Sequence, residues 1–289
     1  MKIKLILFGI MLIQATTAQQ KVIKLFPQGA PGEKTQLVES GSTDGRKVAN
    51  KTVLRLSNVS TPDIKIYTPP QGKATKAAMI VCPGGGYNIL SYDMEGSEIC
   101  EWLNGLGITA VLLKYRVPRR EGQEKHVVPL QDVQRALRYI RTHAATMNLD
   151  PQKIGVMGFS AGAHLSVMAS TAYDSPTYAP IDEIDNVSCK PNFCLLVYPA
   201  YLSAKDFQLA PEVKVTPQTP PTMIVQTQDD KNYIDSSIFY YYALKQNKVP
   251  VTMHLYSKGG HGYGLRNTGA PVNEWPRRAE TWLKALGCY

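Results

Sequence analysis

Between an apolar run at residues 154–159 and a stretch of helical period at 161–172 stands Gly158-Phe159-Ser160-Ala161-Gly162. A serine with glycine two residues away on each side suits a sharp turn from strand into helix. A Cβ at either glycine would strike the neighbouring strand or helix there, and the turn itself is strained. Such a turn lifts the serine hydroxyl into a cleft. A five-residue pattern also occurs by chance, so its context decides what it means.

That context is an alternation. Strand-forming apolar segments at 53–57, 64–67, 77–82, 109–114, 154–157, 193–197, 222–227 and 251–256 are interleaved with helical segments at 92–106, 129–147, 161–172, 236–246 and 274–286. This order predicts an α/β fold, a doubly wound, mainly parallel sheet with helices on both faces. The first two strands, joined by Thr61-Pro62-Asp63, read as an antiparallel hairpin feeding the sheet, and the proline-rich stretch 210–221 reads as a loop. Lys2 and Lys4, the apolar run 5–13 and the small residues Ala15-Thr16-Thr17-Ala18 predict a signal peptide over 1–18. Residues 19–289 are then expected to form one periplasmic or secreted domain. The apolar run is far shorter than the roughly 20 residues of a membrane-spanning helix, so no stable membrane insertion is expected.

The net charge of +9 is scattered apart from small clusters such as Arg116, Arg119 and Arg120. This describes a solvated surface and no nucleic-acid partner. Five cysteines, an odd number, stand at no metal-ligand spacing. Cys82 and Cys100 read as buried thiols, whereas Cys189 and Cys194 are close enough in sequence for a pair in an oxidising compartment to remain open.

A serine nucleophile needs a base, an acid to orient that base, and donors for the oxyanion. Of five histidines, His126 and His143 precede the serine, His164 sits one turn behind it in the helix, and His254 belongs to a strand. His261, in Gly259-Gly260-His261-Gly262-Tyr263-Gly264, lies in a flexible loop after the last strand and is the expected base. Asp229 and Asp230 follow the preceding strand and both qualify as the acid; Asp229 is favoured. Cys82-Pro83-Gly84-Gly85-Gly86-Tyr87 ends an early strand. Gly85 and Gly86 N–H, with that of Ala161, are the expected oxyanion donors. The triple glycine has no G-K-[ST] after it and does not fit a phosphate loop.

With these residues in place the chain resembles the branch of the α/β-hydrolases that includes acetyl xylan esterases, members of which are often labelled xylanases. The resemblance is carried by Pro83-Gly84-Gly85-Gly86-Tyr87, Glu101-Trp102-Leu103-Asn104, 112–118, Gly158-Phe159-Ser160-Ala161-Gly162-Ala163-His164, the Asp229-Asp230 pair and the loop around His261. It implies a serine carboxylesterase acting on O-acyl groups of a glycan, without metal or organic cofactor, and it implies the first aspartate of the pair as the acid. Tyr87, Tyr92 and Tyr263 flank the catalytic loops as candidates to stack on a sugar ring. Two rivals share the fold: a peptidase of the prolyl oligopeptidase type and a non-catalytic glycan-binding protein. A true xylanase would need two carboxylates across a scissile bond, and the adjacent Asp229 and Asp230 are better explained by the triad.

Overall fold

The structure, a computed structural model, describes residues 20–289, so the expected signal peptide lies outside the described residues. The eight strands of the main sheet are β1 (Gln20–Lys24), β2 (Asp63–Tyr67), β3 (Ala78–Cys82), β4 (Thr109–Lys114), β5 (Ile154–Phe159), β6 (Cys194–Val197), β7 (Thr222–Thr227) and β8 (Val251–Tyr256), in spatial order β1-β2-β4-β3-β5-β6-β7-β8. From β4 to β8 every neighbouring pair is parallel, while β2 runs antiparallel to both of its neighbours.

The alternation of side chains along a strand sets the layers. In β3, Ala78, Ile80 and Cys82 enter one core and Met79 and Val81 the other. Helices α2 (Val127–Thr142), α3 (Ala161–Thr171) and α4 (Ile234–Gln246) cover the first face, and α1 (Glu98–Gly105) and α5 (Trp275–Ala285) cover the second. In α2 the apolar residues Val133, Ala136, Leu137 and Ile140 follow the three-and-four spacing of a core-facing stripe, while the first half of the helix, 128–137, is buried all round. In α5, Trp275, Ala279 and Leu283 do the same at intervals of four.

The structure departs from the sequence reading in two elements, a hairpin and a helix, and settles the cysteines. The hairpin between 53–57 and 64–67 does not form. Arg55–Ser57 is half-buried throughout and sets only Leu56 against the first core; it pairs with Ser40–Ser42 and Leu90–Ser91 in a small separate sheet. Ile64 and Ile66 give their strand an apolar face, and it takes β1 as its outer partner. Cys189 and Cys194 are unpaired: all five cysteines are buried free thiols. The expected helix at 92–106 also begins later, because Asp93–Ser97 forms a π-helical turn ahead of α1, a form frequent at functional sites.

One buried ion pair fastens the segment just after β4 to α2. Arg116 and Asp132 have side chains with 0% exposure, and Arg116 Nε donates to Asp132 Oδ1 at 2.9 Å while its backbone N–H donates to Oδ2 at 2.8 Å. The remaining guanidinium donors reach Pro31 O at 2.8 Å and Gln131 Oε1 at 2.7 Å. Removing one partner of such a pair strands the other charge. Asp132→Asn is therefore expected to cost about 3–5 kcal/mol, read as a lower urea midpoint at unchanged slope; a loss below about 1 kcal/mol would contradict the pairing.

Candidate active site

Strands β3, β5, β7 and β8 end nearly level. Cys82 lies opposite Gly158, Phe159 opposite Val197, Val197 opposite Val225, and Thr227 opposite Tyr256. The loops that follow them emerge together at the carboxyl edge of the sheet, where α/β folds assemble their sites.

Ser160 sits at the turn from β5 into α3 with φ 52° and ψ −118°. A non-glycine residue there carries roughly 1–3 kcal/mol of strain. Backbone contact enforces it: a Cβ on Gly158 would collide with the Gly162 carbonyl, and one on Gly162 with the Cys82 carbonyl. The Ser160 N–H donates to Val197 O at 3.1 Å, and its carbonyl accepts from His164 N–H at 3.1 Å and Ala200 N–H at 3.2 Å. These bonds fix the side chain's direction.

His261 completes a chain of hydrogen bonds. Its Nε2 is 2.8 Å from Ser160 Oγ and its Nδ1 is 2.7 Å from Asp230 Oδ2. The expectation of Asp229 as the partner is corrected. The Asp230 carbonyl accepts the first N–H groups of α4, from Tyr233 and Ile234, and this tight turn directs the Asp230 side chain inward, to 3% exposure. Asp229 faces outward, where its Oδ1 accepts Gly260 N–H at 2.8 Å and its Oδ2 accepts Gly259 N–H at 3.3 Å. One carboxylate holds the imidazole, and the other holds the backbone that carries it.

A cavity of about 210 Å³ opens over Ser160 and His261 and is lined also by Gly85, Gly86, Met94, Glu95, Arg46 and Arg55. Gly84 N–H is committed to Glu95 Oε2 at 2.8 Å, which leaves the loop's next two residues to face the cavity. Ala161 opens α3, and its N–H has no acceptor within the helix. Glu95 is 3% exposed, and burial raises its carboxyl above the ordinary range, although the Tyr198 hydroxyl and the Gly84 N–H pull the other way. Tyr198 Oη donates to Glu95 Oε1 at 2.8 Å and accepts from Gly264 N–H at 3.1 Å. Glu95 and Tyr198 thus brace the glycine loop against the histidine loop. In sequence, Glu95 reads equally as a residue near the cleft and as support for a helix start, and nothing marks Tyr198.

The three tyrosines expected to meet a ligand do not face the cavity. Tyr87 is fully buried among Tyr115, Tyr201 and His164, with its Oη 2.8 Å from His164 Nδ1. Tyr263, 1% exposed, packs edge-on against Tyr198 at 4.5 Å, and Tyr92 lies half-buried against the second core. Rings of this size gain more from burial than from standing in a loop. The aromatic faces beside His261 belong to half-buried Tyr233, 4.9 Å from the His261 ring, and to half-buried Tyr201, which stacks edge-on against Tyr233 at 5.6 Å. As expected, His164 packs behind the elbow and His254 stays on β8.

Residues 64–190 match the BD-FAE family. The chain is similar to an acetylxylan esterase of Xylanibacter ruminicola, 28% identical over 279 residues that cover 87% of this chain and 54% of that protein. It is also similar to a protein named endo-1,4-beta-xylanase B of Butyrivibrio fibrisolvens, 29% identical over 214 residues covering 65% of this chain and 33% of that one. The chain therefore spans about half the length of the first of these curated relatives and a third of the second. A solved structure, that of an acetyl ester-xyloside bifunctional hydrolase from Caldicellulosiruptor lactoaceticus, superimposes with TM-score 0.69 at 33% identity, over 78% of this chain and 89% of that chain.

Tyr198→Phe removes the one hydroxyl that serves both loops and leaves a buried carboxylate oxygen and a buried N–H unpaired. A loss of about 1–3 kcal/mol is expected. The sign of its pH dependence follows from Glu95: a carboxyl whose folded pKa is raised favours the folded state while protonated and weakens it as pH rises through that value. Without its Tyr198 donor the shift grows, so urea unfolding should register a larger loss at pH 7.5 than at pH 4.5. An equal loss at both would remove Glu95 from the account.

Proposed function

We propose that this chain, which belongs to the α/β-hydrolase superfamily and within it to the carbohydrate esterase branch that includes acetyl xylan esterases, is a serine carboxylesterase removing O-acetyl groups from glycans such as acetylated xylan. The observation that carries the reading is the unbroken Asp230–His261–Ser160 hydrogen-bond chain, 2.7 and 2.8 Å, opening onto the glycine loop. Ser160 Oγ attacks the ester carbonyl while His261 Nε2 takes its proton, and Asp230 accepts Nδ1–H and steadies the imidazolium. The oxyanion forms against the N–H groups of Gly85, Gly86 and Ala161, each worth on the order of 100-fold in rate. His261 then protonates the departing sugar oxygen. Water, deprotonated by the same imidazole, attacks the acetyl-enzyme and acetate leaves. All of these steps use the chain's own groups.

Acetyl rather than a bulkier acyl group is supported by the cavity's volume of about 210 Å³, below the roughly 300–1,000 Å³ typical of drug-sized ligand pockets. Tyr201 and Tyr233 offer ring faces at its side for a sugar. Export through a signal peptide at 1–18, giving a periplasmic or secreted enzyme, belongs to the same reading and suits a polymeric glycan substrate.

The test is acetate release from acetylated xylan, run beside acetyl and longer-chain p-nitrophenyl esters. Loss of both activities in Ser160→Ala is the expected result. Hydrolysis of the small esters alone would remove xylan as substrate, and no ester cleavage would favour a peptidase or a glycan-binding protein. The two aspartates separate cleanly. Asp230→Asn is expected to lower kcat about 10⁴-fold, as loss of the orienting acid does in other triads. Asp229→Asn weakens only two backbone bonds and should cost about 10-fold or less. The reverse ranking would return the acid's role to Asp229.

A further inference from the structure

Behind the elbow, where Tyr87 meets His164, three side chains from distant parts of the chain converge. His126 stands just before α2, His164 lies one turn into α3, and Glu212 comes from the proline-rich loop. One donor atom of each lies within 4.8 Å of the others. Two of these nitrogens are anomalous. His126 Nδ1 and His164 Nε2 are buried without a hydrogen-bond partner, a state that costs about 1–3 kcal/mol for each group. Glu212 Oε1 is 3.5 Å from His164 Nε2, beyond a well-formed bond.

We propose that His126, His164 and Glu212 form a binding site for a divalent transition ion of the zinc class. Two imidazoles and a carboxylate are a donor set that zinc takes with three protein ligands. His164 Nδ1 is 2.8 Å from Tyr87 Oη. With Nδ1–H donated there, Nε2 presents a lone pair and the ring is held by the outer-shell bond that metal-ligating histidines make. Donors on a tetrahedral ion stand roughly 3.3 Å apart, which asks an inward movement of about 1 Å. His126 and Glu212 lie outside helices and can supply it, whereas His164 is fixed in α3.

The competing cation is Lys125, whose Nζ is 3.9 Å from Glu212 Oε1 and 4.9 Å from the Tyr201 ring centre. Its side chain is 24% exposed, and its long stem lets the ammonium withdraw to solvent as the ion enters. The ion does not touch the reacting atoms. It would pin the loop carrying Glu212 to the helix that starts at the nucleophile.

Untagged protein stripped with EDTA and titrated with Zn²⁺ by calorimetry tests this directly. One equivalent is expected, with a rise in Tm that depends on Zn²⁺ concentration. Glu212→Gln and His126→Gln, each checked for folding by circular dichroism, should weaken binding at least 10-fold. Co²⁺ in place of Zn²⁺ should give the visible absorption of a four-coordinate site. Failure of the wild-type protein to bind Zn²⁺, or binding by both variants as tight as wild type, overturns the site. Neither outcome bears on ester hydrolysis, which is measured separately.

Discussion

Three stretches of backbone touch where the Cys82 carbonyl, Gly158 and Gly162 meet, and the geometry of the site follows from that contact. With side chains excluded, α3 presses against the ends of β3 and β5, and the residue between them is driven into a backbone conformation it would not choose. The strain is local; the restraint is spread over the sheet. Val197, at the end of the neighbouring strand, and Ala200 beyond it hold Ser160 through its own peptide groups. A serine whose position is fixed by main chain is preorganised and has little freedom left to lose.

The remaining loops are fixed to one another rather than to the sheet alone. Glu95 and Tyr198 join the glycine loop to the loop that carries His261, and Asp229 holds the latter by its N–H groups. The distance between His261 and the glycine loop is thus governed by the buried Glu95 and Tyr198 and by the outward-facing Asp229. Each of these has a partner, which is the condition under which a buried network rigidifies rather than weakens a fold.

What the sequence made legible was what the backbone demands. Gly158 and Gly162 are readable because no other residue fits the crossing, and His261 because a glycine-rich loop after the last strand is where an imidazole reaches the serine. The strands were readable because residues such as Met79 and Ile80 alternate between two cores. The choice between Asp229 and Asp230 was not: the residues are identical, and a turn that only the fold supplies decides which points inward. Tyr87 and Tyr263 misled for a related reason. An aromatic ring in a loop carries no mark of whether it turns toward a ligand or into the core. Glu95 and Tyr198 are 103 residues apart, and no local pattern connects them. Strand β1 escaped notice because Gln20–Lys24 is polar and mostly exposed, a cover for the sheet's edge rather than part of its core.

The five cysteines carry a different consequence. Burial pushes the Cys82 and Cys194 thiols up to about 12 and that of Cys288 to about 11, so almost none of the reactive thiolate exists at neutral pH. The fold asks for no oxidant to close a crosslink and offers no accessible thiol to be damaged by one. It is indifferent to redox environment, and a chain of this design can mature on either side of a membrane without the help of a disulfide isomerase.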